Sequence, residues 1–179
     1  MSYININKKF ISAILGLIIA LLITSCASSG LIIKTQNSLA LKEMNGLKYY
    51  KREKFEKAFS LLQEPAAWGY KGAQYALAFM FLKGQHVEQS TLLGMGWLAV
   101  AKEANVKDWN NQYISIYSSG TELDKLKFDK IADVYISRYG LAAQHVTCGR
   151  STSVTTRMFK IDCHKNEGVG VLYDVDLIE

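Results

Sequence analysis

Three cysteines, three histidines and two aspartates near the C-terminus are the residues of this 179-residue chain whose types suit covalent, metal or acid–base chemistry. His86, His145 and His164 stand far apart in sequence, and none has the spacing of a metal-ligand pair or of a base beside a nucleophile. His145 and His164 lie near Cys148 and Cys163, but the intervals fit no structural zinc pattern, so no metal is expected. No Gly-x-Ser-x-Gly, His-Glu-x-x-His or phosphate-loop motif occurs. Gly168-Val169-Gly170-Val171 lacks both a third glycine and a following helix, so it reads as the start of a strand and no nucleotide cofactor is expected. Asp174 and Asp176 share a strand face and could pair as acid and base, although such residues near a terminus more often simply face solvent. Arg150 and Arg157, with the hydroxyls of Ser153, Thr155 and Thr156 between them, are candidate contacts for an anion such as a glycan carboxylate.

The third cysteine belongs to a different setting. Lys8 and Lys9 precede Phe10 to Ile23, a run in which only Ser12 and Gly16 interrupt apolar residues. Ile23-Thr24-Ser25-Cys26 then places an aliphatic residue and two small ones directly before a cysteine. The whole segment resembles the lipobox of bacterial lipoproteins. That resemblance implies a signal peptide over 1–25, diacylglycerol on the Cys26 thiol, cleavage before it and acylation of the new amino terminus. An uncleaved anchor is the rival, since no charge appears from Phe10 until Lys34 and about 20 apolar residues can span a bilayer. Thr24, Ser25, Ser28, Ser29 and Gly30 cut that stretch short. Ala27 stands where an aspartate would be an inner-membrane retention signal, so the same resemblance implies the outer membrane, facing the periplasm. Several acyl chains anchor stably where a single one binds only marginally.

With Cys26 assigned to the lipid, Cys148 and Cys163 remain as an even pair in an oxidising compartment, and a disulfide is expected. Closing a loop of about 15 residues stabilises by roughly 3 kcal/mol in the chain-entropy account. A catalytic thiol would more typically be a lone cysteine or half of a Cys-x-x-Cys pair.

Composition sets outer bounds. An apolar fraction of 49% excludes a disordered chain, and a single proline argues against a Pro-rich linker protein. The 21 basic and 16 acidic side chains give +5, which falls by two to +3 once Lys8 and Lys9 are removed. No basic run in the remainder exceeds Lys51-Arg52, so nucleic acid binding is not supported.

The elements that must position these residues read as follows. Residues 26–40 look like a lipidated tether, 41–140 like a helical domain and 141–179 like a β appendage. Phe55, Ala58, Phe59, Leu61 and Leu62 form an apolar stripe at helical spacing, and Pro65 is expected to stop that helix or to open the next turn. A helix from about Ala73 to Leu82 is apolar nearly all round and ends at Gly84, and Ser90 is a plausible N-cap for the next, through about Ala104. Thr121 to Tyr139 forms a last helix, with Leu123, Leu126, Phe128, Ile131, Val134, Tyr135 and Tyr139 expected inward and Gly140 as its stop. Beyond it the apolar period becomes 2, and pairing Cys148 with Cys163 sets Arg150 near Ile161 and Thr152 near Phe159 in a hairpin.

Similar residue types recur at an offset of 36: Ala58 with Gly94, Leu62 with Leu98, Gly69 with Asn105, Leu77 with Tyr113, and Gly84 with Gly120. Within this, Ala73-Gln74-Tyr75, Leu77, Phe81, Gly84, Val87, Trp97 and Ala101 resemble the Sel-one-like repeat, a short relative of the tetratricopeptide repeat. Ala78, Ser90, Gly94 and Asn105 depart from that pattern. The resemblance implies a mainly α fold, a short stack of antiparallel helix pairs with a disulfide-closed β appendage. Ala73, Gly94 and Ala101 would let helices approach closely while Trp97 and Phe81 fill the gaps, and each pair would bury its faces on its neighbours. Such stacks present a concave surface to a protein or peptide. The expected role is therefore a non-enzymatic scaffold, held at the membrane through Cys26 and binding one envelope protein. The alternatives use the C-terminal appendage, either as a peptidoglycan or glycan-binding surface around Arg150 and Arg157, or as a small hydrolase using Asp174 or His164.

Overall fold

In the computed structural model, which describes residues 36–152 and 159–165, six α-helices lead into one antiparallel hairpin. The helices are α1 (Gln36–Tyr50), α2 (Phe55–Ala67), α3 (Lys71–Lys83), α4 (Thr91–Ala101), α5 (Lys107–Ser119) and α6 (Glu122–Tyr139), with a 3-10 turn at Lys102–Ala104 after α4. The strands are β1 (Val146–Thr152) and β2 (Phe159–Lys165). Cys26, Arg157, Asp174, Asp176, Gly168 and Gly170 lie outside the described residues. Among the described residues no helix is long and apolar enough to cross a membrane.

Local signals set most boundaries. The Ser90 hydroxyl accepts the Leu93 N–H at 3.2 Å and starts α4. Thr121 and Asp124 form a reciprocal capping box at the start of α6. Gly84 closes α3 in the left-handed region, with φ 64°. Two boundaries differ from expectation. Helix α1 begins at Gln36, inside the stretch read as tether, because Leu39 is already buried. Pro65 does not stop α2, which runs on to Ala67, because Pro65, Ala66 and Ala67 are all buried there. The Pro65 ring removes the N–H that would otherwise reach Leu61 O, and the burial of Pro65, Ala66 and Ala67 offsets that loss.

Helices α3 and α4 are central. Every residue of α4 from Leu93 to Ala101 is buried, between α3 on one side and α6 on the other. Gly94 permits the α3 contact, since a Cβ there would lie 2.6 Å from Leu82 Cγ. Trp97 packs towards α6, its ring 4.8 Å from Tyr139 and 5.0 Å from Tyr135. It therefore packs α4 on α6, whereas Phe81 packs α3 on Phe59 of α2 at 6.1 Å. Ala73, Leu77 and Ala101 are fully buried. Tyr75 is only half-buried; it stacks on Trp109 of α5 at 4.4 Å and donates its hydroxyl to Gln112 Oε1 at 2.5 Å.

Leu123 and Leu126 do not face inward: they are 62% and 67% exposed. Phe128, Ile131, Ala132, Tyr135 and Tyr139 define the buried stripe of α6, and at 100° per residue positions 123 and 126 fall on the opposite side of the helix. Helix α5 packs more thinly, with Tyr113 its only buried residue. Of the positions related by 36 residues, Gly69 and Asn105 share a positive φ (86° and 57°), while Gly84 and Gly120 do not.

The Cys148–Cys163 disulfide joins β1 to β2. The register carries Arg150 opposite Ile161 and Thr152 opposite Phe159, as the cysteine pairing requires. Alternation then places Val146, Cys148 and Arg150, with Ile161, Cys163 and Lys165, on one face of the hairpin.

Candidate functional site

That hairpin face forms one wall of an open cleft of about 710 Å³. Glu43 and Leu47 of α1, Gly69 to Gly72 at the start of α3, and Ala104 to Lys107 with Trp109 at the start of α5 supply the rest. Its surface is apolar and aromatic at Leu47, Tyr70, Val106, Trp109, Val146 and Ile161, with Lys107, Arg150 and Lys165 adding positive charge.

Each wall is held by a polar contact between distant parts of the chain. Glu43 accepts the backbone N–H of Ala73 at 2.9 Å, so α1 caps the first turn of α3. Glycine at position 72 leaves room for this approach, since a Cβ there would lie 2.8 Å from Glu43 Oε1. Burial raises the Glu43 carboxyl above its ordinary value, against the lowering effect of the Ala73 and Gly72 amides. Tyr70 is likewise pushed up, by burial first and by the nearby Glu43 charge second.

Lys71 is almost fully buried, yet its ammonium donates to Val100 O and to Glu103 Oε2, both at 3.0 Å. Glu103 Oε2 also accepts the Leu141 N–H at 3.0 Å, so one carboxylate ties α3, the end of α4 and the turn after α6. Desolvation lowers the Lys71 pKa, and the Glu103 charge opposes it.

Lys165 pins the hairpin. Its ammonium donates to Gln144 O at 2.6 Å, Gln144 Oε1 at 3.2 Å and Trp68 O at 3.3 Å, and lies 4.9 Å from the Trp68 ring centre. Burial lowers its pKa to about 8. Gln144, itself buried, donates to Arg138 O at 2.7 Å. Gly69 makes room for this junction: at φ 86°, a Cβ there would lie 2.8 Å from Gln144 Cβ.

Of the residues singled out from sequence, Arg150 and Cys163 line this cleft, and Cys148 is bonded to Cys163. His164 is exposed, with Nε2 3.7 Å from Asp162 Oδ2, and His86 and His145 are exposed elsewhere. Among the described residues no group of three or more His, Cys, Asp or Glu could hold a metal ion. Glu43, Lys71, Glu103, Trp109 and Lys165 carried no local signal, because each acts on a partner far away in sequence.

A shallower cavity of about 480 Å³ lies between α4, α5 and α6, lined by Ala99, Lys102, Tyr113, Ile114 and Ile136 among others. The Lys102 ammonium sits 4.3 Å from the Tyr113 ring centre. Burial first, then the charges of Asp129, Tyr117 and Asp133, push the Tyr113 phenol up to about 12. The fold thus favours the neutral phenol: its contribution is complete below pH 10 and is lost as pH rises from 10 towards 12. In a tyrosinate absorbance titration of the folded protein, Tyr113→Phe is expected to remove a group that titrates near pH 12. No family model, curated protein or solved structure matches the chain.

Proposed function

We propose that the chain is a lipid-anchored lipoprotein, acylated at Cys26 and facing the periplasm from the outer membrane, and that its helical stack holds a segment of an envelope protein. The cleft is the observation that carries this reading. It is open, it joins apolar and aromatic walls to the exposed Lys107 and Arg150, and it lies where the starts of α3 and α5 meet the hairpin. Those are the features of a peptide-recognition groove, in which a few aromatic and arginine anchors dominate affinity. Support for repeat-like stacking comes from the close α1–α2 and α3–α4 pairs, with α2 packed on α3. Helix α5 stands off α6, so the segment 105–139 is a worn unit on this reading.

Two measurements test the proposal. Labelled palmitate is incorporated into the full chain and not into Cys26→Ser; label that survives the substitution overturns the anchoring reading. A photoreactive side chain at Lys107 crosslinks to a specific envelope protein, and one at Lys127 on the outer side of α6 does not. Arg150→Glu or Trp109→Ala reduces that crosslink about tenfold. Capture of peptidoglycan with no protein moves the site to glycan binding and overturns the protein-partner reading.

A further inference from the structure

We propose that the outward stripe of α1 is a docking face for an anionic lipid surface. Leu41 and Met44 are 54% and 59% exposed, and Lys48, Lys51 and Arg52 are exposed beyond them. At 100° per residue these five positions fall within one sector of the helix and its continuation, opposite the buried Leu39 and Gly46. The helix therefore has an inner side that packs on α2 and an outer side with two apolar residues followed by three cations.

The occupant follows from charge and from tethering. Apolar side chains flanked by lysine and arginine suit the boundary between lipid headgroups and acyl chains, where each cation near an anionic surface strengthens association about fivefold. Twelve residues, 24–35, separate the apolar run Phe10 to Ile23 from Gln36, and nine separate Cys26 from it. Twelve residues reach at most about 40 Å, so α1 is the first described element within range of the membrane that holds either the run or a lipid on Cys26. This holds whether Cys26 is acylated or the run stays as an anchor, so the inference is independent of the lipoprotein reading.

The test uses the full chain carrying Cys26→Ser, in which Cys148 and Cys163 are bonded and an introduced cysteine is the free thiol. Nitroxide is attached at Met44→Cys or at Lys130→Cys on the exposed side of α6, and the protein is reconstituted into vesicles. These are either phosphatidylcholine alone or phosphatidylcholine with one third phosphatidylglycerol. Collisions with oxygen and with a water-soluble nickel chelate report depth. On anionic vesicles the label at 44 is expected about 5–10 Å below the phosphates. It is expected to be solvent-like on neutral vesicles, after Lys48→Glu/Lys51→Glu/Arg52→Glu, and at high salt. The label at 130 stays solvent-like throughout. A label at 44 that is equally accessible on both vesicle types overturns the proposal. So does shielding that ignores lipid charge and grows with protein density, which would assign the stripe to a second copy.

Discussion

Truncating Trp97 to alanine is expected to remove about 4 kcal/mol of unfolding free energy. The side chain is fully buried on α4 and makes both a stacked contact with Tyr139 and an edge contact with Tyr135. Its removal opens a void at the seam between α4 and α6, and α4 cannot move in to fill it. A Cβ on Gly96 would already lie 3.0 Å from the Tyr135 ring, so backbone and ring are near contact one residue away. Trp97→Phe separates size from chemistry. The Trp97 indole N–H is buried with no hydrogen-bond partner, so phenylalanine keeps most of the stacking and removes an unsatisfied donor. Urea denaturation followed by far-ultraviolet circular dichroism should show a loss near 1 kcal/mol for Phe, on the order of the smallest core changes. Equal losses for Ala and Phe would contradict the packing account.

Lys71→Ala is the second large effect, with an expected loss of about 3 kcal/mol. The ammonium is the only charged group buried to this degree among the described residues, and it serves two acceptors at once. Alanine removes the stem and leaves Glu103 without its counter-charge beside the end of α4. Lys71→Met retains the buried stem and removes only the ammonium, so its loss should be nearer 1 kcal/mol. Glu103→Gln probes the same link from the other side, and the double substitution should be less damaging than the sum of the singles, because both act on one contact. Additive losses would mean that the ammonium and the carboxylate are energetically separate.

The helices were legible where a short-range device marks them. Ser90, Thr121 and Gly84 each act within three or four residues, and the cysteine pair specified the hairpin register. The inward side of α6 was half legible: Phe128 onward kept the stripe, while Leu123 and Leu126 followed hydrophobicity and not angle. The cleft was legible only at Arg150 and Cys163. Glu43 meets the start of α3 thirty residues on, and Lys165 meets Trp68 from ninety-seven residues away. Neither position has a neighbouring residue that would announce such a partner, since a lone charged residue in a helix or strand is ordinarily solvated.

The Glu43 cap also bears on how the molecule comes apart. Arrays of stacked helical units ordinarily fray from an end, because each unit touches only its neighbours. Here the first helix supplies an acceptor that the third needs, and Glu103 joins the third to the segment beyond the sixth. Peeling away either extremity strips a bond from the middle. The consequence, among the described residues, is that neither the first helix nor the turn beyond the sixth can leave without loosening the centre.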